Sequence, residues 1–297
     1  MKNTALIILL GVLFFSCLPK EKEVKINKFS EKLVVNSQVI PNNIMLVSLT
    51  RSFSILSDGY TPSSDEGGNT MTNDLMNKVL VEDAIVTVSY SNNIDTLYML
   101  APGMYASLTT PQYKDVEYTI HAIDKSHNLE ITATEKMLSQ VEFNSAEFVY
   151  EEGILNFKFS FDDPSEINYY MLNIFRKNGN GNTDPNKVDI NTFLSNGNAY
   201  VGGDVFTDLN FNGTTTAAKI KLSNYVPAAT QDTMIVTISN ISRGYFNYLS
   251  VRNKVNNNIM SQVFNEPINY PTNVQNGLGF FSTHFPDTKV LILPVKL

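Results

Sequence analysis

The chain has no tryptophan, one cysteine and three histidines in 297 residues. A single thiol, Cys17, excludes a disulfide within the chain, so stability must come from a hydrophobic core. Without tryptophan the chain lacks the ring most often used as an exposed sugar platform. Most of its 14 tyrosines fall in strand or helix patterns, where packing accounts for them. Positive charge is also scarce: 22 Lys and Arg stand against 29 Asp and Glu, for a net charge of −7. That balance argues against nucleic acid, which needs clustered basic side chains against phosphate. Beyond the N-terminus no apolar run approaches the roughly 18 residues of a membrane-spanning helix. What is present is an apolar fraction of 43%, enough for a sizeable core, and many asparagines grouped as in Asn42-Asn43 and Asn256-Asn257-Asn258. Asparagine tolerates left-handed backbone and bonds its own main chain, which suits many turns between strands.

The N-terminus carries the clearest single signal. Lys2 precedes an almost unbroken apolar run from Ala5 to Phe15, and small Ser16 stands directly before Cys17. Charge, apolar stretch and small residue are the parts of a secretory signal, too short to span a bilayer as a stable helix of about 20 residues. A cysteine at the cut position turns this into a bacterial lipoprotein signal, with cleavage after Ser16 and a diacylglycerol on the Cys17 thiol. The acyl chains then hold the protein to the membrane, at about 0.8 kcal/mol per buried CH₂. Residues 1–16 are thus expected to be a signal peptide, and residues 17–30 a polar tether. Lys20-Glu21-Lys22-Glu23 resembles the acidic or Lys-acidic export signal of Bacteroidota lipoproteins, which implies an outer-membrane protein facing the cell exterior; the alternative is a plain solvated linker.

From Glu31 onward the hydrophobic period is two. Ile44 to Leu49 makes a strand after the Pro41-Asn42-Asn43 turn. Ala84 to Ser91 alternates, Asn92-Asn93 marks a hairpin turn into Asp95 to Leu100, and Glu117 to Ile123 and Leu129 to Thr134 flank a second polar turn. Leu155, Phe157, Phe159 and Phe161 give the strongest strand signal, with Asn168 to Arg176 returning beside it and Met234, Val236 and Ile238 following. Ser242 is a plausible helix cap, and Tyr245, Tyr248, Leu249, Arg252 and Val255 recur at helical spacing, so Arg243 to Asn256 reads as one amphipathic helix. Leu278 to Thr283 and Thr288 to Val295 read as closing strands. The expected fold is all-β, with two β-sandwich-like domains: an immunoglobulin-like one over 31–139, and a second, containing the helix, over 140–297. Ser57 to Asn77 is polar, Gly-rich and too long for an ordinary hairpin loop. It reads either as a disordered insertion or as a binding loop, with Tyr60 its candidate contact residue.

No catalytic constellation emerges. His121 sits on a strand, His127 in a turn and His284 near the C-terminus, none with a second ligand at metal spacing. GxSxG, HExxH, P-loop and dinucleotide motifs are absent. Asn178 to Asp184 alternates oxygen donors with flexible residues, yet lacks the leading aspartates and distal glutamate of a calcium loop and reads as a turn. Asp162-Asp163 could act as an acid and base pair, but it stands before Pro164 at a strand end, where a turn also uses such residues. The expectation is a non-enzyme with no cofactor and no metal.

Several stretches, in order along the chain, resemble a Bacteroidota lipoprotein family, domain of unknown function 4249. They are Lys32-Leu33-Val34-Val35, Leu49-Thr50-Arg51-Ser52, Ala84-Ile85-Val86-Thr87-Val88, Gly103-Met104-Tyr105 with Tyr118-Thr119-Ile120, and Phe206-Thr207-Asp208 with Phe211-Asn212-Gly213. The most specific runs from Glu266-Pro267 to Asn273-Val274-Gln275-Asn276-Gly277-Leu278-Gly279-Phe280-Phe281. The resemblance implies a signal peptide, a lipid anchor, an immunoglobulin-like N-terminal region and a second β-rich region, with no established catalytic residues. Members are often encoded near TonB-dependent outer-membrane receptors, which implies an accessory or binding role in nutrient uptake. A structural or adhesive surface spacer without a transporter partner is the alternative.

Overall fold

The computed structural model describes residues 30–40, 44–53, 76, 78–177, 183–187, 205–222, 233–256 and 269–294. The signal peptide, Ser16, Cys17, the tether and Tyr60 lie outside the described residues.

The first unit is built from β1 (Leu33–Ile40), β2 (Ile44–Arg51), β3 (Ile85–Tyr90), β4 (Asn93–Ala101), β5 (Met104–Ser107), β6 (Glu117–Asp124) and β7 (Leu129–Lys136). In β2 and β6 every second side chain is buried, as the pleat of a strand with one face on a core requires. The strands run in the order β7-β6-β3-β4-β5-β2-β1. β4 changes sheets halfway: Asn93 to Leu97 pair with β3, and Tyr98 to Ala101 pair with β5 around an irregularity at Leu100. One layer is then β1-β2-β5 and the other β4-β3-β6-β7, the strand grouping of an immunoglobulin-like sandwich. A tyrosine corner supports that reading independently. Tyr118, at the start of β6, donates its hydroxyl proton to Pro111 O at 2.6 Å and accepts the Tyr113 N–H at 2.8 Å. The hairpin expected at Asn92-Asn93 turns one residue earlier. Ser91 and Asn92 take the positive φ values, 41° and 64°, and Asn93 already pairs with Tyr90.

The second unit is also a sandwich. A three-stranded sheet of β8 (Phe143–Glu151), β9 (Ile154–Asp162) and β13 (Thr215–Leu222) faces β10 (Tyr169–Lys177), β11 (Thr183–Lys187), β12 (Val205–Thr207), β14 (Thr233–Ile241) and β17 (Asp287–Ile292). Phe157, Phe159 and Phe161 stack along β9 at 5.1 and 6.2 Å and meet Tyr170, Leu172 and Ile174 of β10 and Met234, Val236 and Ile238 of β14. The helix α1 (Arg243–Asn256) starts where expected. Ser242 caps it, accepting the Tyr245 N–H at 3.1 Å. Its buried residues Tyr245 and Leu249 pack on Met171, Val205 and Ile241, on the far face of the β10 sheet.

Residue 139 falls between β7 and β8, where the chain passes from the first unit to the second, but a later segment returns to the first. Residues 274–281, expected in the second unit, instead complete the first. β15 (Val274–Gln275) pairs with β7, and β16 (Leu278–Phe280) pairs in parallel with β1, as Val34 with Leu278, Val35 with Gly279 and Asn36 with Phe280. The two free edges of the first sandwich are therefore joined by one short segment from the far end of the chain. Parallel pairing between residues so distant in sequence leaves no hydrophobic period of its own to read. Phe281 enters the first core, while Phe280 packs between Tyr245 and Tyr248 of α1, at 5.3 and 5.5 Å.

The "N-V-Q-N-G-L-G-F-F" stretch has a physical explanation here. Gly279 has φ +86°, and a Cβ on it would lie 2.0 Å from Val35 O. A Cβ on Gly277 would lie 2.7 Å from both Ile131 and Val274 side-chain atoms and 2.8 Å from Leu33 O. Only glycine allows this backbone approach. Asn273 fastens the segment with its amide: Oδ1 accepts the Phe281 N–H at 3.0 Å, and Nδ2 donates to Phe281 O at 2.7 Å and to Thr134 O at 3.1 Å. The Ser37 hydroxyl donates to Ser282 O at 2.7 Å and accepts the Ser282 N–H. Beside it, Glu135 of β7 accepts from the Ser242 hydroxyl at 3.1 Å, tying β7 to the helix cap. Burial pushes the Glu135 carboxyl up to about 7, against the pull of that hydroxyl and of the Lys136 N–H.

Gly279→Ala is expected to unseat β16 and destabilise the chain by more than the ordinary ~1 kcal/mol of a glycine change. Thermal melts, with Gly153→Ala as the comparison, check it. Gly153 also has positive φ, but its Cβ would meet nothing within 4 Å.

Candidate functional site

Among the described residues, the candidate histidines and aspartates each have local contacts. His121 on β6 contacts Glu130 at 2.6 Å at the surface. His127 Nδ1 lies 2.8 Å from Ser126 Oγ and 3.5 Å from Asp124. His284 packs beside Tyr245, and burial holds its imidazole down to about 4. Asp162 and Asp163 do not pair with each other. Asp162 accepts from the Thr215 hydroxyl at 2.6 Å at the surface, whereas Asp163 is buried and bonds Tyr170 and Gly213. Of the Asn178 to Asp184 stretch, residues 178–182 lie outside the described residues. Among the described residues no group of three or more His, Cys, Asp and Glu is placed to hold a metal, and no helix is long and apolar enough to cross a membrane.

The feature that composition could not reveal is the base of the long loop. Arg51, at the end of β2, is buried against Asp124 at the end of β6, with Nε donating to Oδ2 at 2.6 Å and side-chain exposures of 6% and 0%. The same guanidinium donates through Nη1 to Leu80 O at 3.0 Å. Thr50 forms a bridge with Leu80, the Gly103 N–H donates to Val81 O at 2.9 Å, and the Tyr105 hydroxyl donates to Val81 O at 3.0 Å. Burial opposes ionisation of Asp124, yet hydrogen bonds from Arg51 and Ser126 hold its carboxyl below the usual range. Ends of the stretch on either side of residues 54–75 are therefore fixed to three strands by a buried ion pair and backbone bonds. A long segment held on a rigid base is an arrangement used for recognition.

Next to that base the sheet turns an apolar strip outward. Tyr98 and Leu100 of β4 are 72% and 62% exposed, with Met104 of β5 paired to Ala101 beside them. Ile85 of β3 is also exposed, one residue before Val86, which pairs with Leu97. Four large apolar side chains on adjoining strands exceed the scattered singles normal on a surface. They follow from the sheet change of β4: a strand that turns the corner between layers cannot bury both of its faces. Alternation alone does not show them, because it says nothing of where a strand changes sheets.

The chain belongs to the family described as Domain of unknown function (DUF4249), whose model matches residues 20–289. No curated protein matches it. Among solved structures, the chain is similar to the selenomethionine-substituted chicken interferon gamma receptor alpha chain, at 10% identity and a TM-score of 0.18, covering 71% of this chain and 89% of that one.

Asp124→Asn leaves the Arg51 charge buried without its counter-ion and is expected to cost about 3–5 kcal/mol in chemical denaturation. Since the folded carboxyl titrates below its ordinary 3.8, its contribution is complete above that pH and is lost as pH falls through the folded value.

Proposed function

We propose that this member of the DUF4249 family is a non-enzymatic lipoprotein, anchored through Cys17 to the outer membrane of a Bacteroidota cell and facing its exterior. There it serves as an accessory or binding subunit of a TonB-dependent transporter in nutrient uptake. The observation that carries the reading is the exposed apolar strip of Ile85, Tyr98, Leu100 and Met104, set beside the clamped base of the long loop that contains Tyr60. Such a strip is what a protein partner covers. The signal at Ser16 and Cys17 supports the location. The occupation of Asp162, Asp163, His121 and His127 by local partners supports a role without catalysis.

Co-purification tests it. A C-terminally tagged chain, extracted gently from outer membranes, is expected to bring a TonB-dependent receptor in stoichiometric amount, and Tyr98→Asp to lose at least ten-fold of it. If the protein comes alone under conditions that preserve known receptor complexes, the structural or adhesive spacer takes precedence.

A further inference from the structure

One end of the second core is polar, and its charges do not balance. Asp163, just past β9, and Asp208, just past β12, are 7% and 0% exposed. Asp163 accepts the Tyr170 hydroxyl and the Gly213 N–H, the latter at 2.7 Å. Asp208 Oδ2 accepts the Asn168 N–H at 2.5 Å. Asn168 Oδ1 in turn accepts from Asn240 Nδ2 at 3.0 Å. Strand register puts these groups on one inward face, with Tyr170 opposite both Phe206 and Asn240. Phe161, Phe206 and Phe211 pack together against this end, with Phe211 at 6.0 and 6.5 Å from the other two.

Two oxygens in this enclosure have no hydrogen-bond partner among the described residues: Asp208 Oδ1 and Asn240 Oδ1. They flank Asn168 on either side. Among the described residues, the charges acting on Asp163 and Tyr170 come from one another and from Asp208, with no Lys, Arg or His. A buried carboxylate oxygen with neither donor nor counter-charge costs free energy, and neighbouring carboxylates worsen it. Among the described residues nothing supplies the positive charge that this enclosure calls for.

The loop that follows Asp208 suits a hard cation. Asp208-Leu209-Asn210-Phe211-Asn212-Gly213 places oxygen-bearing side chains at positions one, three and five and glycine at six, the leading half of a calcium loop. Gly213 takes φ +73°, the sharp turn that position needs. The twelfth position is Lys219, so the loop lacks its own distal acid. Asp163, just past the end of β9 in the sheet facing β12 and bonded to the Gly213 N–H, is placed to supply the second carboxylate. We propose that Asp208 and Asp163, with the Asp208–Gly213 loop and the Asn240 amide oxygen, bind a calcium ion that locks the two sheets of the second unit together. Calcium fits better than magnesium because it accepts about six to eight oxygens in irregular geometry.

The test uses the full chain and the metal alone. After EDTA treatment, calcium in the millimolar range is expected to raise the melting temperature by about 5 °C, and magnesium to do much less. Asp208→Asn removes the unpaired charge, so it is expected to fold and to melt in EDTA no lower than the parent, while losing the calcium shift. Terbium locates the ion. With no tryptophan in the chain, its emission must be sensitised by tyrosine, and Tyr170→Phe should cut it several-fold while the calcium shift persists. Identical melting in EDTA and calcium would overturn the proposal, as would a calcium shift that survives in Asp208→Asn. A melting temperature indifferent to calcium but raised between pH 7 and pH 5 would also overturn it, assigning the missing charge to a shared proton.

Discussion

Strand β1 has two edges to satisfy. β2 fills one by ordinary antiparallel pairing, in register from Leu33 with Arg51 to Ile40 with Ile44. The other is filled by Leu278 to Phe280, a segment that reaches Val35 so closely that no side chain fits between Gly279 and the Val35 carbonyl. The same segment, one turn earlier, pairs with β7 and so closes the opposite edge. An immunoglobulin-like sandwich left open there would present unpaired backbone on two strands, a template for aggregation. Closure by a distant part of the chain covers part of both edges at once and ties the first unit to the second.

That dependence is reinforced by packing. Phe281 fills the first core and Phe280 the cluster under α1, so adjacent residues anchor the closing segment in two different hydrophobic environments. Each buried aromatic of this kind contributes on the order of 2–3 kcal/mol. Gln140, in the first crossing between units, donates to Pro286 O at 2.9 Å, and the Phe143 N–H donates to Asp287 at 2.9 Å, so the outgoing and returning chains lie side by side. The molecule is two sandwiches by layering and one structure by connection. The ion pair of Arg51 and Asp124 acts elsewhere. It stiffens the far end of the first sandwich, where β4 changes sheets and leaves Tyr98 and Leu100 outside.

Much of this was legible in the residues. Period-two alternation in Ala84 to Ser91 and in the Phe157-Phe159-Phe161 ladder marks strands with one buried face, and Arg243 to Asn256 is helical from its cap onward. The match of residues 20–289 to the family agrees with the resemblance seen in its motifs. Three things were hidden because they depend on contacts between residues far apart. The partner of Gly279 is Val35, and glycine spacing alone says only that something comes close. β5 is four residues long and β15 two, below the length at which periodicity registers. The inward cluster of Asp163 and Asp208 is assembled from separate strand ends, and Asp162 takes no part in it, because consecutive residues leave a strand on opposite sides.

Closure of the first sandwich by residues 274–281 is open to one direct measurement, hydrogen exchange on the full chain resolved to single amides. If β16 is a true sheet member, the β1 amides facing it and the Phe281 amide, held by Asn273, exchange together, at rates close to those of β6 in the same core. Phe281 exchanging at the rate of an exposed loop while β1, β2 and β6 stay protected would contradict the account, and the two units would then have to be regarded as independent.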